Sequence, residues 1–269
     1  MALSDYFSGK RILITGAASG IARDLAMVLK DWNVKLALLD IQMLAAEDFE
    51  ESQDVLTFKA DVTKLEEMIL MRAKLYEKWG GVDIVIAAAG VGGINPGQCF
   101  SQELDHKIMS INYFGTINTL TPFIELMKKN NTGQLVGICS LAGLRGLPQA
   151  ASYSASKAAQ MTMLESLRLD LKSSGISVSC IHPGFVATPM TNHKEFEMLF
   201  TVPVRDSSFH ILKAIAKKKK QYFYPWPMAF LSKLNRLLPN WIYDFIMPIL
   251  SPSKATTPKL LSALSDKDK

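Results

Sequence analysis

"TGAASGIA" occupies residues 15–22, after the apolar run "RILI" at 11–14 and before a stretch with helical periodicity. How this strand, turn and helix are read decides the fold. Gly16 and Gly20 are separated by three residues. Glycines there let the backbone turn sharply and approach a pyrophosphate, whose charge then faces the helix N-terminus. Ala22 stands where a third glycine could, and it still permits close packing of helix on strand. Taken alone, the loop also admits the weaker reading of a plain tight turn.

Outward from this loop, short apolar runs rich in β-branched residues alternate with longer helical patterns. That alternation is the signature of a parallel sheet covered on both faces. Strands are expected at "RILITG" (11–16), "VKLALLD" (34–40), "VLTFKAD" (55–61), "VDIVIAAAG" (82–90), "GQLVGICS" (133–140), "SVSCIHPG" (177–184) and "QYFYP" (221–225). Helices are expected over 20–31, 63–79, 101–130, 151–174 and 206–219. The fold class is therefore α/β, a Rossmann-type doubly wound parallel sheet. One dinucleotide-binding domain over 1–225 is followed by a C-terminal helical extension and tail over 226–269. Ligands in such sheets bind beyond the carboxyl ends of the strands. Asp40 closes the second strand, where a carboxylate can accept hydrogen bonds from an adenosine ribose and repel a 2'-phosphate. Neither Ser19 nor Ile41 supplies a compensating cation, so NAD is favoured over NADP. The competing reading is that Asp40 caps a helix starting near Met43.

With 269 residues and 48% apolar content the chain can build one large core. Cys99, Cys139 and Cys180 are odd in number and far apart, with no C-x-x-C spacing, so neither a disulfide framework nor a zinc site is expected. The four histidines, His106, His182, His193 and His210, show no metal-ligand spacing either. A reducing cytosol fits, and the N-terminus has no basic segment followed by an apolar run. The formal net charge of +5 sits unevenly: residues 217–269 carry net +7 around the lysine run at 217–220, leaving −2 for the rest. That tail mixes lysines with aromatics, but nothing else in the chain resembles a nucleic-acid recognition motif.

"YSASKAAQ" at 153–160 places Tyr153 and Lys157 four positions apart, on one face of a helix. Together with "TGAASGIA", these motifs resemble the short-chain dehydrogenase/reductase family. The others are "ADV" at 60–62, "AAAG" at 87–90, Asn112 in "SINYFG", Ser140 thirteen residues before Tyr153, and "HPGFVAT" at 182–188. The resemblance covers most of residues 8–225. It implies an enzyme that interconverts an alcohol and a carbonyl by hydride transfer with a nicotinamide cofactor. Tyr153 would be the acid/base, its phenol pKa lowered from about 10 by the Lys157 ammonium. Lys157 would also hold the nicotinamide ribose, Ser140 would bind the reacting oxygen, and Asn112 would hold a water near the lysine. The cofactor set would be Gly16, Ser19, Gly20 and Ile21 in the first loop, Asp40, Asp61, Val62, Ala89 and Gly90 at the next strand ends, Tyr153 and Lys157, and Pro183, Gly184, Val186 and Thr188 at the nicotinamide.

Two departures stand out. The family's "NNAG" is "AAAG" here, which removes amides that tie neighbouring loops together. A frequent serine before Ser140 is Cys139, read as a small buried residue. Ser140 itself lacks the G-x-S-x-G elbow of a hydrolase. The segment "MTNHKEFEMLFTVPVRDSS" should cover the substrate, and its Met190, Phe196, Met198, Leu199 and Phe200 suggest an apolar pocket. Beyond it, Lys233, Arg236, Asp244 and several prolines argue against a membrane span over 225–250. Phe230, Leu231, Leu234, Leu237 and Leu238 share one helix face, which must be covered by its own domain, another subunit or a lipid interface. The partners implied are a hydrophobic alcohol or ketone and further copies of the chain as dimer or tetramer, with peripheral membrane contact through the tail as an alternative. No nucleic acid is implied. The runner-up functions are an NADP-dependent reductase of a lipid or steroid-like ketone, and a nucleotide-sensing binding protein with little turnover.

Overall fold

The structure is a computed structural model. It describes residues 2–191 and 200–250, without the side chains of 248–250. Seven strands form one parallel sheet: β1 (Arg11–Thr15), β2 (Lys35–Asp40), β3 (Val55–Lys59), β4 (Ile84–Ala87), β5 (Gly133–Ile138), β6 (Ile176–Pro183) and β7 (Gln221–Tyr224). Their spatial order is β3-β2-β1-β4-β5-β6-β7. The order reverses between β1 and β4, and the crevice at their carboxyl ends is where a doubly wound sheet takes its ligand.

The near-continuous apolar runs follow from burial on both faces. Ile12 and Ile14 point into one core layer, shared with Leu25, Leu29 and Ile211. Leu13 between them points into the other, shared with Met68, Phe123 and Leu164. The first layer is roofed by α1 (Leu3–Phe7), α2 (Gly20–Leu29) and α7 (Val204–Ala216), the second by α3 (Leu65–Trp79), α5 (Gly115–Lys129) and α6 (Ala151–Asp170). The helix α3 stops at Gly80, whose φ of 71° is the left-handed cap a glycine supplies without strain.

All seven expected strands are present. The helix expected over 101–130 is divided: α4 (Gln102–Met109) passes into one wide π turn, Ser110–Phe114, before α5. Such turns relax the i to i−4 pattern and often occur at functional sites. Asn112 lies in the middle of it. The short helix α1 was not expected from the sequence; Phe7 is fully buried and anchors it.

After β7 the chain forms α8 (Trp226–Leu237) and α9 (Asn240–Leu250). No helix among the described residues is long and apolar enough to cross a membrane. Among the described residues the expected apolar face is largely exposed: Phe230 is 63% exposed and Leu237 79%, with Trp241 at 74% on α9. The helix α8 docks instead through Ala229, which is buried, and through Met228, whose sulfur would lie 2.7 Å from a Cβ at Gly184. The lysine run at 217–220 precedes β7 and α8 follows it, so the two features lie at opposite ends of that strand, roughly 13 Å apart for four residues.

Candidate active site

A cleft of about 330 Å³ follows the carboxyl ends of the central strands. Every residue that the resemblance assigns to the cofactor lines it, and so does Ser140. Asn112 lies behind the wall, fully buried. The cleft also takes in residues that sequence reasoning passed over, among them Gln42, Val91 and Ile111. A more open depression of about 510 Å³, bounded by Phe200, His210 and Pro227, collects none of the motif residues.

The glycine loop is shaped by what surrounds it. Gly16 has φ of +79°, and a Cβ there would stand 2.8 Å from the Cα of Ala89. Only glycine fits. Ser19 is the N-cap of α2 without a side-chain cap bond, so the helix's first amides remain available toward the cleft, where an anion is favoured. Asp40 does not cap a helix near Met43, since none starts there. Its carboxylate accepts from the Ala18 amide (3.0 Å) and the Gln42 amide (3.0 Å), which locks β2 to the glycine loop. The "AAAG" turn after β4, which lacks side-chain amides, is held from the neighbouring strand instead. The buried Thr15 hydroxyl accepts from the amides of Ala88 (3.2 Å) and Ala89 (3.3 Å). Asp61 accepts from the Thr63 amide at 2.8 Å.

Ser140 follows β5 and caps a single turn over Leu141–Gly143, its hydroxyl accepting from the Ala142 amide at 3.1 Å. At Gly143 the turn presses on α6: a Cβ there would stand 2.8 Å from the carbonyl carbon of Lys157. This contact fixes the Ser140 turn against the helix that carries Tyr153 and Lys157. The loop between them is braced from outside. Arg145 donates to the carbonyl oxygens of Asn235 and Leu238 and to the Asn240 side chain, and its guanidinium lies 3.7 Å from the ring centre of Tyr243. The Tyr243 hydroxyl donates to the Gly146 carbonyl, and Arg236 to that of Leu144.

Lys157 is buried, and its ammonium donates to the Ile138 carbonyl (2.9 Å) and to Gln160 Oε1 (3.0 Å). It lies 5.8 Å from the centre of the Tyr153 ring. Burial holds the Lys157 ammonium below its ordinary pKa, opposed by Cys139 and Cys180. Burial also pushes the Tyr153 phenol above its ordinary value, with the Ser140 hydroxyl opposing and Cys139 adding to the rise. The net lowering expected for Tyr153 is therefore not what the protein chain alone produces: desolvation outweighs the Ser140 hydroxyl that opposes it. The Asn112 side chain is committed to neighbouring structure. Its Oδ1 accepts from the Val91 amide (2.8 Å), and its Nδ2 donates to the Val91 carbonyl (3.0 Å) and the Ser156 hydroxyl (2.9 Å).

Behind Ser140, Cys139, Cys180 and His182 converge, their ligand atoms within 4.8 Å of one another and all three residues buried. Sequence spacing could not show this, because Cys180 and His182 share one face of β6 and Cys139 comes from its neighbour. The contact with Cys139 and burial push the Cys180 thiol far up, and burial holds His182 down at about 4. Cys180 and His182 are thus uncharged at neutral pH, beside the Lys157 ammonium. The trio packs as a small soft filling, with His182 stacked on Phe223 at 4.2 Å. Of the residues expected to cover the substrate, Met190 borders the cleft and Phe200 is half exposed. Phe196, Met198, Leu199 and His193 lie outside the described residues.

Comparison with known proteins places these features in context. Residues 10–198 match the family model described as short chain dehydrogenase. An uncharacterized oxidoreductase of Myxococcus xanthus is 36% identical over 242 residues, covering 88% of this chain and 96% of the relative. Estradiol 17-beta-dehydrogenase 11 of Rattus norvegicus is 28% identical over 249 residues, covering 89% and 83%. Among solved structures, a short chain dehydrogenase of Burkholderia cenocepacia in complex with NADP superposes with a TM-score of 0.77 at 22% identity, covering 90% of this chain and 98% of the other. A Burkholderia phymatum short chain dehydrogenase/reductase in complex with NAD gives 0.76 at 21% identity, covering 86% and 94%.

Proposed function

We propose that this chain, which belongs to the short chain dehydrogenase family, is an NAD-linked oxidoreductase that interconverts an alcohol and a carbonyl on a hydrophobic substrate. The observation that carries the reading is one cleft that joins the glycine loop and Asp40 at one end to Ser140, Tyr153 and Lys157 at the other. A nicotinamide dinucleotide bound there supplies the hydride acceptor or donor. The residues fit it: a glycine cradle without room for a Cβ, open amides at the start of α2, and a carboxylate at the end of β2.

Tyr153 is the proton donor and acceptor in this reading. Its phenol is held above the ordinary value by burial, so it is protonated at neutral pH, the form that can give a proton to a carbonyl oxygen. Ser140, on its turn against α6, orients that oxygen and stabilises charge developing on it. Lys157 favours the phenolate left behind, and its third N–H remains for a ribose hydroxyl. Asn112 shapes the wall through Val91 and Ser156 rather than by facing the cleft. Val91, Val186 and Met190 give the cleft an apolar wall, which supports a lipid-like or steroid-like alcohol or ketone as substrate. The exposed face of α8 and α9 supports a contact with a second copy or a lipid surface.

Asp40 supports NAD over NADP, because a second negative group beside its carboxylate would be repelled at close range. A panel of apolar alcohols and ketones, followed at the nicotinamide absorbance with both cofactors, tests the assignment. Turnover with NAD(H) preferred by about tenfold or more is expected. Asp40→Ala combined with Ile41→Arg should narrow or reverse that preference. Tighter binding of NADP(H) by the unaltered protein would overturn it.

A further inference from the structure

We infer that Gln160 is a positioning residue for Lys157, its side-chain amide held by Thr116 so that its oxygen fixes the lysine ammonium in the floor of the cleft. The inference rests on the oxidoreductase reading for its functional meaning but on geometry alone for its substance. Gln160 lies three residues beyond Lys157 on α6, on the same helix face, and is fully buried. Its Oε1 accepts from Lys157 Nζ at 3.0 Å, and its Nε2 donates to the Thr116 hydroxyl at 2.8 Å. Thr116, also buried, donates in turn to the Asn112 carbonyl at 2.8 Å. An unbroken chain of hydrogen bonds therefore links Lys157 through Gln160 and Thr116 to the π turn that carries Asn112.

The orientation of the amide is fixed by chemistry. An ammonium can only donate, so the oxygen of Gln160 must face Lys157 and the nitrogen must face Thr116. Thr116 accepts from that nitrogen while spending its own proton on the Asn112 carbonyl, so each member has one role. The groups facing Lys157 are Tyr153 on its own helix, Cys139 at the end of β5, and Cys180 and His182 on β6. None of these is a carboxylate. Neutral oxygens, those of Ile138 and Gln160, receive the charge. In a dry setting a donor without its acceptor costs more than the bond itself gains. Removing Gln160 Oε1 should therefore push Lys157 toward its neutral form and let its side chain move. Both effects would weaken its support of the Tyr153 phenolate.

The test follows the titration of Lys157 through the Cε resonance in protein with 13C-labelled lysine, assigned with Lys157→Arg. It needs no substrate, so a failure of the oxidoreductase reading would appear separately as absent turnover. Gln160→Met, similar in size but without an acceptor, should lower the Lys157 midpoint by about one pH unit. Thr116→Val should lower it by less, and should add nothing further in the Gln160→Met background. Gln160→Glu restores an acceptor, adds a negative charge, and should raise the midpoint above that of the unaltered protein. On a confirmed substrate, the pH limb governed by Tyr153 should rise with Gln160→Met. A side chain that only fills space would leave the midpoint unchanged in Gln160→Met and Thr116→Val, and that result overturns the inference. Should Gln160→Met fail to fold, the midpoint of Thr116→Val decides between the same two outcomes.

Discussion

At the scale of single residues, the balance between burial and partners decides what each ionisable group can do. His182 is the sharpest instance. It is fully buried, and neither ring nitrogen makes a well-formed hydrogen bond among the described residues. Burial holds it at about 4, against an ordinary value of 6.5, with the Ser140 backbone opposing only in part. A base whose pKa is lowered by folding takes up its proton more readily when unfolded. Stability is therefore intact above the unfolded value and falls as the pH drops from about 6.5 toward 4, by up to about 3 kcal/mol for this group. His182→Phe, which keeps the stack on Phe223, should flatten that part of a denaturant-midpoint profile against pH. An unchanged acid limb in the variant would show that the loss comes from elsewhere. Tyr153 and Lys157 illustrate the same competition. Their spacing on one helix face was legible in "YSASKAAQ", but the net direction of the Tyr153 shift was not, because it depends on how completely the folded chain excludes water from the pair.

At the scale of elements, the sequence carried the strands and the strand-end motifs, since hydrophobic runs and glycine turns are local signals. What it did not carry is how the elements are tied to one another. The "AAAG" turn lacks its amides, yet Thr15 from the adjacent strand satisfies both backbone donors; a contact between β1 and β4 has no signature within either segment. The π turn at Ser110–Phe114 broke a helix that periodicity alone had run through. The Cys139, Cys180 and His182 cluster needed the register of β5 against β6. The brace by Arg145 was equally hidden, joining a loop to helices about ninety residues away. Arg145→Ala removes those bonds and the stack on Tyr243, an expected local loss of about 1–3 kcal/mol. Hydrogen exchange over residues 144–149 should speed up, and kcat/KM should fall about tenfold or more as Ser140 loses its fixed approach to Tyr153. Unchanged exchange in that loop would show that α8 and α9 do not hold it.

At the scale of the whole molecule, one sheet places two chemistries at its carboxyl edge and separates them from its charge. The glycine loop and Asp40 lie on one side of the β1–β4 crevice, the Ser140 turn and α6 on the other, and α8 packs through Met228 against Gly184. The basic run at 217–220 lies at the opposite end of β7, away from the exposed apolar face of α8 and α9, so composition had grouped features that the fold keeps apart. We propose the division at residue 225 as a functional one, with 226–250 acting as a brace on the 144–147 loop rather than as a separate body. The proposed function stands or falls on Tyr153 exchanging the proton while a bound nicotinamide exchanges the hydride. Comparing the unaltered protein with Tyr153→Phe on a confirmed substrate, with turnover read by nicotinamide absorbance and cofactor affinity by fluorescence, probes that step without an intermediary. Turnover should fall by about a hundredfold or more with cofactor affinity kept within about threefold, because only the ionisable oxygen is lost. Ordinary turnover by the phenylalanine variant would contradict the assignment.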